Sequence, residues 1–314
     1  MKKGAQKMLY IDLHSHTTYS DGTSTVENSL TQAEASGLSL FSVSDHNTVS
    51  AYNEIKEKRH LFSGKILPAI EMSTFYCGEM IEVLGYGIDL KIIDEFTKEN
   101  YLPLPKRRAR EAQLTAKAFL KKGVKMNDAF AKGMLEDPEG MLRHSHLGCR
   151  PMFLEEIRRY PENARFFGSK EEFITMTRHR WARYYLLNPK HELFVDQTEV
   201  FPSFKAVTDA IHRADGLVFL AHPYVYSPNI ANALDDITQN YALDGLECHY
   251  GIFTKEQQNK LSDYCHDHGL YKSGGSDFHG LDMRPHNIMG LAGGEKIEFS
   301  AISPWFEKIE QSLL

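Results

Sequence analysis

The residues Asp12-Leu13-His14-Ser15-His16 lie in an apolar-flanked run that predicts the first β-strand of the protein. Because strand side chains alternate between two faces, Asp12, His14 and His16 share one face and Leu13 lies on the other. Two imidazoles spaced in this way can bind one metal ion together. A lone His-x-His pair is weak evidence of a metal site, so its meaning depends on what the rest of the chain supplies.

The bulk composition is that of an ordinary globular protein. The chain has 314 residues, of which 42% are hydrophobic and 25% are charged, and it carries a net charge of −6. It contains no apolar run near the roughly 18 residues of a membrane span, and no signal-peptide core follows its basic start. Four scattered cysteines without CxxC spacing favour reduced thiols. We therefore expect a cytoplasmic protein that makes no membrane contact.

Strands and helices alternate along most of the chain. The predicted strands are 9–16, 38–44, 66–71, 81–86, 216–221, 245–248 and 271–276, and the predicted helices include 25–36, 49–59, 204–215, 230–240 and 255–268. This alternation favours a parallel sheet. Polar residues recur where the strands end, which favours an α/β barrel with its site on that face over an open doubly wound sheet with one crevice.

A basic segment interrupts this rhythm and predicts three regions, 1–99, 100–202 and 203–314. The middle region has nineteen Lys and Arg against thirteen Asp and Glu, a net charge of about +6, and the remainder carries about −12. Its basic groups are Lys106-Arg107-Arg108-Ala109-Arg110, then Arg143, His144, His146 and Arg150, then Arg178, His179, Arg180 and Arg183. They are either solvated faces of a small helical subdomain or a basic lid that draws a phosphate-bearing substrate to an acidic metal site.

Histidines and carboxylates at the strand ends are the candidate metal ligands. They are His14, His16, Asp21, His46, Glu71, His222, Asp277 and His279. Imidazole with carboxylate suits zinc, manganese or iron, and a carboxylate such as Glu71 can bridge two ions. The set is too large for one tetrahedral ion. It indicates two or three divalent ions about 3.5–4 Å apart, an arrangement that clamps phosphoryl groups.

The chain resembles the PHP (polymerase and histidinol phosphatase) family of metal-dependent phosphoesterases. The motifs are Asp12-Leu13-His14-Ser15-His16, Ser20-Asp21-Gly22, Ser44-Asp45-His46-Asn47, Glu71, Leu84-Gly85-Tyr86, Ala221-His222-Pro223, Gly245-Leu246-Glu247 and Gly274-Gly275-Ser276-Asp277-Phe278-His279-Gly280. The resemblance implies an α/β fold, a distorted (β/α)7 TIM-like barrel with an inserted, mainly α-helical subdomain. It also implies three metal positions.

The resemblance distributes the ligands among these positions. His14, His16, Glu71 and Asp277 would hold the first ion, Glu71 and His222 the second, and Asp21, His46 and His279 the third. The family usually has a histidine before Leu-Gly-Tyr, where this chain has Glu82. Either Glu82 binds an ion and favours manganese or magnesium there, or the second position is weak and the enzyme uses two ions.

The long insert is similar to that of a branch containing nucleotide phosphatases and 5′-to-3′ exoribonucleases of short RNA. Its Arg-Pro-His element has a partial counterpart in residues 143–150. We expect hydrolysis of phosphomonoesters or terminal phosphodiesters of nucleotides or short oligonucleotides by metal-bound hydroxide, without a stable nucleic-acid complex. The candidate substrate contacts are Arg143, His144, His146, Arg150 and Arg284.

Three further residues are candidates for roles beside the metal ions. Arg150 would stabilise phosphoryl charge, His249 would protonate the leaving oxygen or orient a ligand, and Asp45, like Asp12, would orient ligand imidazoles. Three other functions remain open: a histidinol-phosphate phosphatase, a metal-dependent amidohydrolase and a non-catalytic nucleic-acid-binding module. The basic insert argues against the amidohydrolase, and the net charge of −6 argues against the binding module.

Overall fold

The computed structural model describes residues 9–145, 148–226 and 228–314. Contacts divide these residues into two compact units. The first comprises the described residues of 1–73 together with 82–97 and 204–314, and the second comprises 74–81 with the described residues of 98–203. Within the described ranges, no helix combines the length and the apolar character needed to cross a membrane.

The strands form two larger sheets and a small hairpin. In chain order they are β1 (Ile11–Asp12), β2 (Leu40–Phe41), β3 (Lys65–Ile66), β4 (Ala69–Tyr76), β5 (Glu79–Tyr86), β6 (Leu217–Leu220), β7 (Gly245–Tyr250), β8 (Tyr271–Gly275), β9 (Leu291–Ala292) and β10 (Glu295–Lys296). One sheet has the order β1-β2-β3 and is parallel. The other has the order β4-β5-β6-β7-β8, and β9 pairs with β10.

Strand β5 departs from the expected parallel arrangement. It runs antiparallel to β6, whereas β6, β7 and β8 are parallel to one another. The physical reason is the tight reversal between β4 and β5, where Cys77 and Gly78 have positive φ values of 48° and 82°. Such a turn joins neighbouring strands only in antiparallel order, because a parallel connection needs a long crossover.

Isolated bridges connect the two larger sheets where their regular ladders stop. Ser15 bridges to Phe278 beyond β1 and β8, and His46 bridges to Glu71 beyond β2. Backbone bonds reinforce both places: the His16 N–H donates to the Phe278 carbonyl at 2.8 Å, and the Asn47 N–H donates to the Glu71 carbonyl at 2.8 Å. The candidate ligands therefore lie where the sheets meet.

Helices cover the strands of the first unit and have clear end signals. They are α1 (Val26–Ala35), α2 (Ala51–Glu57), α3 (Leu90–Asn100), α10 (Phe204–Arg213), α11 (Pro228–Ala231), α12 (Leu234–Asn240), α13 (Lys255–His268) and α14 (Ser303–Ile309). The last turn of α3 lies beyond Thr97, where this part of the first unit ends. Helix α13 begins with a capping box between Thr254 and Gln257 and ends at Gly269, whose φ is 66°. The core beneath includes Trp305, whose ring stacks on Tyr86 with centroids 5.6 Å apart.

The second unit is mainly helical. Its helices are α4 (Leu104–Lys122), α5 (Asp128–Glu136), α6 (Pro138–Leu142), α7 (Cys149–Arg158), α8 (Lys170–Thr175) and α9 (Arg178–Arg180). Phe119 packs edge-on against Phe153 and Trp181, with ring centroids 5.5 and 6.0 Å apart. This unit therefore has an aromatic core of its own. Each buried ring removes a large apolar area from water and so stabilises the unit.

Candidate metal centre

Four side chains of the first unit converge on a single point. The Nε2 atoms of His14 and His16 are 3.1 Å apart. Each lies 3.3 Å from Oε2 of Glu71, and they lie 3.4 and 3.2 Å from Oδ1 of Asp277. A tetrahedral ion with bonds of about 2.0–2.1 Å holds its ligands about 3.3 Å apart. The distances from the two histidines to each other and to the two carboxylates are close to this spacing, so these side chains can contribute ligands to one metal site.

Glu71 uses both carboxylate oxygens. Its Oε1 lies 3.0 Å from Nε2 of His222, and its Oε2 lies 3.1 Å from Nδ1 of His46 as well as near the first pair of histidines. A carboxylate placed in this way has the geometry for bridging neighbouring cations. Glu71 lies inside β4, so the strand backbone fixes its position.

A second cluster forms around Asp21. Its Oδ1 lies 3.2 Å from Nε2 of His279, 3.7 Å from Nε2 of His46 and 3.9 Å from Nδ1 of His16. The structure thus brings the strand-end histidines of three separate segments around one carboxylate. His16 faces both clusters, because one ring nitrogen points to each.

Two of the candidate ligands have backbone conformations that residues other than glycine rarely adopt. His222 has φ 28° and Asp277 has φ 54°, and each lies two residues after the end of its strand. Left-handed conformations at such residues cost roughly 1–3 kcal/mol and cluster at functional sites. The turn directs each side chain from the end of its strand into the cluster.

The cluster has strong internal electrostatics. Burial opposes the charge on the imidazoles, but Glu247, Glu71 and Asp277 outweigh it and raise the pKa of His14 well above its usual value. Burial likewise opposes the charge of His16, yet Asp277 and Glu71 raise its pKa to about 10. The positive partners hold the pKa of Glu71 and of Asp277 well below their usual values, although burial acts the other way.

Several buried nitrogen and oxygen atoms in these clusters, each able to bind a metal ion, lack a hydrogen-bond partner. They are Nδ1 of His16, Oδ1 of Asp21, Nδ1 of His46, Oε2 of Glu71 and Nε2 of His279. Unpaired buried polar atoms are costly unless something satisfies them. Nitrogen and carboxylate donors aimed at common points fit divalent transition-metal ions, so the residues present fit the expected cofactor.

Sequence reasoning did not single out Glu247 and Tyr250 as site residues. Buried Glu247 accepts the Nδ1–H of His14 at 2.9 Å and the backbone N–H of His222 at 2.8 Å. The Tyr250 hydroxyl donates to Oδ2 of Asp277 at 2.6 Å. An acid in the middle of an apolar strand was a usable signal for Glu247. Tyr250 gave none, because a bulge between Glu247 and His249 shifts the alternation of β7.

Asp12 and Asp45 hold loops and make no hydrogen bond to a ligand imidazole in the described residues. Asp12 accepts from the backbone N–H groups of Ser276 and Gly290 at 2.9 and 2.7 Å. Asp45 accepts from the Thr17 N–H at 2.7 Å and from the Ser20 hydroxyl at 2.6 Å. Both carboxylates therefore shape the segments that carry the ligands, and the imidazole-orienting carboxylate is Glu247.

The remaining candidate residues are in different surroundings. Arg284 forms an ion pair with Oδ2 of Asp277, the oxygen other than the one nearest His14 and His16. His249 contacts Gln258 at 3.0 Å and lines a separate cavity. Arg150 lies in α7 of the second unit, and His146 lies outside the described residues. Substrate contact by Arg143, His144, His146, Arg150 and Arg284 stays a prediction.

Glu82 lies next to the second predicted metal position. This buried residue of β5 has Oε2 3.6 Å from Nε2 of His222 and forms a potential ligand group with His46 and Glu71. Its backbone N–H donates to the hydroxyl of Tyr226 at 2.8 Å, which fixes the strand at this point. The position of the carboxylate favours the interpretation in which Glu82 binds an ion.

Replacing Glu82 tests this interpretation. We expect Glu82→Ala to lose metal and to lower turnover by about 10–100-fold, the range seen when even supporting groups of a metal site are removed. Glu82→His should retain metal and shift its preference from manganese toward zinc, because imidazole is the softer ligand. Metal analysis and turnover with each ion give the answer. Wild-type metal content and turnover in both variants would exclude a ligand role.

The fold and this donor set are those of a metal-dependent hydrolase. Comparison with known proteins gives the family: the sequence profile of the PHP domain matches residues 12–252. The 5′-3′ exoribonuclease Rnm of Escherichia coli K12 is 26% identical over 277 residues, covering 85% of this chain and 84% of the relative. The 3′,5′-nucleoside bisphosphate phosphatase of Chromobacterium violaceum is 23% identical over 274 residues, covering 87% and 88%.

Solved structures agree in fold. A Chromobacterium violaceum protein described as an amidohydrolase, with bound sulfate, gives a TM-score of 0.64 at 21% identity, with 97% of each chain covered. A Bifidobacterium adolescentis protein described as a metal-dependent phosphoesterase gives 0.59 at 21% identity, covering 95% of this chain and 96% of its own. The chain therefore belongs to the PHP domain family of metal-dependent phosphoesterases.

Proposed function

We propose that this protein hydrolyses phosphomonoesters or terminal phosphodiesters of nucleotides or short oligonucleotides, using two or three divalent ions of manganese, zinc or iron. The observation that carries the proposal is the buried quartet of His14, His16, Glu71 and Asp277, in which Glu71 and Asp277 each lie 3.2–3.4 Å from both histidine Nε2 atoms. The second cluster, around Asp21, lies beside it through the shared ring of His16. Neighbouring ions are the usual arrangement for phosphoryl chemistry.

The quartet would hold the first ion, Glu71, His222 and Glu82 the second, and Asp21, His46 and His279 the third. The bound ions would supply Lewis acidity toward phosphoryl oxygens and would lower the pKa of water. The protein residues around them control protons and charge. Glu247 keeps the His14 proton on Nδ1, so that Nε2 presents its lone pair to the centre.

Asp277 is held in place from the side opposite its ligand atom. The Tyr250 hydroxyl donates a hydrogen bond to Oδ2, and the Arg284 guanidinium forms an ion pair with the same oxygen. The other oxygen, Oδ1, faces His14 and His16. This fixes the rotamer of Asp277 and keeps its carboxylate ionised. A ligand held in this way needs little reorganisation when substrate binds.

The proposed architecture is the distorted (β/α)7 TIM-like barrel of the family with 100–202 as an inserted, mainly α-helical subdomain. The bridges from Ser15 to Phe278 and from His46 to Glu71 support closure of the two sheets. The helices α4 to α9 support an insert, since they pack around their own aromatic core. Strand ends gathered on one face are where such barrels carry their sites.

The nucleotide part of the proposal draws on the relatives and on a cluster of arginines in the second unit. Arg150 lies 3.4 Å and Arg107 4.0 Å from the carboxylate of buried Glu111. Burial lowers the pKa of Arg107, and the charges of Arg108 and Arg150 add to this effect. Two guanidiniums beside one carboxylate leave surplus positive charge. Guanidinium groups are well suited to phosphate, which they can bind in a bidentate manner.

A phosphate-release screen tests the substrate class. Manganese-loaded protein would be assayed with 5′-nucleotides, nucleoside 3′,5′-bisphosphates, short 5′-phosphorylated RNA and histidinol phosphate. We expect the highest kcat/KM for a nucleotide or oligonucleotide. We expect Arg150→Ala to raise KM for that substrate by about 10-fold or more, since a lost charge-assisted hydrogen bond costs roughly 1.5–3 kcal/mol.

The control for Arg150 lies on the same helix. Arg159 follows the last residue of α7, is exposed and pairs with Glu156, so Arg159→Ala should leave KM unchanged. A clear preference for histidinol phosphate would overturn the nucleotide assignment while leaving the phosphoesterase activity in place. Release of phosphate from none of these compounds would contradict both.

A further inference from the structure

A polar cavity of about 390 Å³ lies in the first unit between the end of β7, the start of α13 and the β9–β10 hairpin. The charged and titratable residues that line it are three lysines, two glutamates and one histidine, namely Lys255, Lys272, Lys296, Glu295, Glu298 and His249, and Gln258 lies beside the histidine. None of the candidate metal ligands lines it. The cavity therefore lies apart from the candidate metal ligands.

The hydrogen bonds of Gln258 determine which ring nitrogen of His249, a residue that lines the cavity, carries the proton. Buried Gln258 donates its Nε2–H to the Phe253 carbonyl at 3.1 Å, so its Oε1 is the atom that meets Nδ1 of His249 at 3.0 Å. An amide oxygen can only accept, so Nδ1 of His249 must carry a proton. Burial lowers the pKa of His249, which favours the neutral ring. Its Nε2 is then a hydrogen-bond acceptor.

The backbone of the β9–β10 hairpin approaches Gln258 closely at Gly293. A Cβ at Gly293 would lie 2.6 Å from Nε2 of Gln258 and 2.5 Å from the Phe253 carbonyl oxygen. Gly293 has φ 58°, and its N–H donates to the Gly251 carbonyl at 2.9 Å. The backbone of the hairpin thus packs directly on the amide that orients the imidazole.

The lysines around His249 supply positive charge that the cavity does not fully neutralise. Lys255 pairs with Glu295 at 2.8 Å. Lys296 lies over the ring of Tyr10, 4.4 Å from its centroid, and pairs with no carboxylate in the described part of the chain. Half-buried Lys272 also has no ion pair among the described residues, and its charge helps lower the pKa of His249. Of the two carboxylates in the lining, Glu295 pairs with Lys255 and Glu298 accepts from the Ser300 hydroxyl. The three lysines exceed the two carboxylates by one charge, and the site offers ammonium donors and an imidazole acceptor.

We propose that this cavity is a second anion site, selective for an oxyanion that carries a proton, namely hydrogen phosphate. Its charged oxygens would accept from Lys272 and Lys296, and its P–O–H would donate to Nε2 of His249. Hydrogen phosphate is also released by any phosphomonoesterase, so this site would respond to the product. The proposal concerns binding alone and does not depend on which substrate the metal centre hydrolyses.

The acceptor nitrogen gives the site a selectivity that charge alone lacks. Sulfate has the size and charge of hydrogen phosphate but no proton at neutral or mildly alkaline pH, so its oxygen would face the lone pair of His249. A site built to hydrogen-bond a hydroxyl rejects analogues without it strongly, because its own polar group stays unpaired. A simple patch of lysines would bind both anions equally.

Arsenate and selenate make a matched pair of probes. Arsenate keeps one proton at mildly alkaline pH and selenate keeps none, and both can be located by anomalous scattering. In crystals of the full chain soaked with either anion, we expect an arsenate peak between Lys272 and His249 and no selenate peak there. Arsenate found only at the metal centre, or both anions found in the cavity, would overturn the proposal.

Calorimetry of the full chain with inorganic phosphate and with sulfate gives the solution test. We expect phosphate to bind about 100-fold more tightly than sulfate. Lys272→Gln should weaken phosphate binding by about 10-fold or more, as expected for loss of a charge-assisted hydrogen bond. The matched control is Lys260→Gln, which removes a lysine of α13 that pairs with Glu256 outside the cavity. Equal phosphate affinity in both variants contradicts the site.

His249→Gln separates a specific acceptor from general destabilisation. The glutamine amide can rotate to donate, so this variant should bind sulfate and phosphate with similar affinity while Lys260→Gln keeps the wild-type preference. Thermal unfolding of each variant checks folding. If His249→Gln keeps the full preference for phosphate, then the imidazole does not accept a hydrogen bond from the protonated oxygen of the anion. That result would overturn the proposal.

Discussion

Replacing Glu71 by Gln should abolish most of the activity, with turnover falling by about 10³-fold or more, since even supporting groups of metal sites are worth roughly 10–100-fold. Glu71 contacts His14, His16, His46 and His222, and it uses both of its oxygens to do so. An amide keeps the shape but removes the negative charge and one acceptor. We therefore expect the variant to lose more than one ion per chain.

The fold should survive this substitution. Asp277 remains beside His14 and His16, Glu247 remains beside His14, and the new amide can both accept and donate at the position of the carboxylate. Metal content would be measured by elemental analysis, turnover by phosphate release, and folding by circular dichroism and thermal unfolding. Glu156→Gln provides a control, because Glu156 is also a buried glutamate but accepts from the Asn127 N–H in the second unit. Full metal content in Glu71→Gln would remove Glu71 from the ligand set.

Removing the metal ions should eliminate phosphate release, and adding manganese should restore it. The protein residues then add a dependence on pH. Without ions, burial opposes the charge of His16 but its carboxylate partners raise its pKa to about 10, so this ring is protonated at neutral pH. The pKa of His14 is raised as well. A metal ligand must be a neutral imidazole, so each binding event displaces protons and metal affinity should rise with pH.

Calorimetry in two buffers of different ionisation enthalpy measures this proton release directly. We expect at least one proton released for each ion bound at the quartet of His14, His16, Glu71 and Asp277. Activity that persists after elemental analysis finds no residual metal would refute the metal-dependent mechanism. Metal affinity that stays constant with pH would instead show that the histidines are already neutral, which would contradict the electrostatics of the cluster.

The motifs predicted the candidate metal centre because its residues lie where the predicted strands end. The predicted strand 9–16 places His14 and His16 on one face, whereas the observed β1 ends at Asp12 and both histidines follow it. Asp277 and His279 likewise follow β8. The structure brings these residues together with Glu71, as the distances among them record. Their distribution among ions, and the number of ions, stays a prediction.

Other elements depended on contacts between distant segments. Glu247 reaches His14 across 233 positions of the chain, and no local pattern encodes that hydrogen bond. A bulge in β7 turns Tyr250 toward Asp277 and His249 toward Gln258, which overrides the simple alternation of a strand. The antiparallel direction of β5 followed from a two-residue turn that the repeating strand and helix pattern concealed.

The sequence by itself predicted the family, the α/β class and a set of candidate metal ligands, because these depend on residue type and short spacings. The tertiary structure alone decided which oxygen and which nitrogen of each side chain face one another. Those choices follow from packing between strands far apart in the chain. They place the carboxylates of Glu71 and Asp277 beside His14 and His16, and they place His249 in the lining of a different cavity.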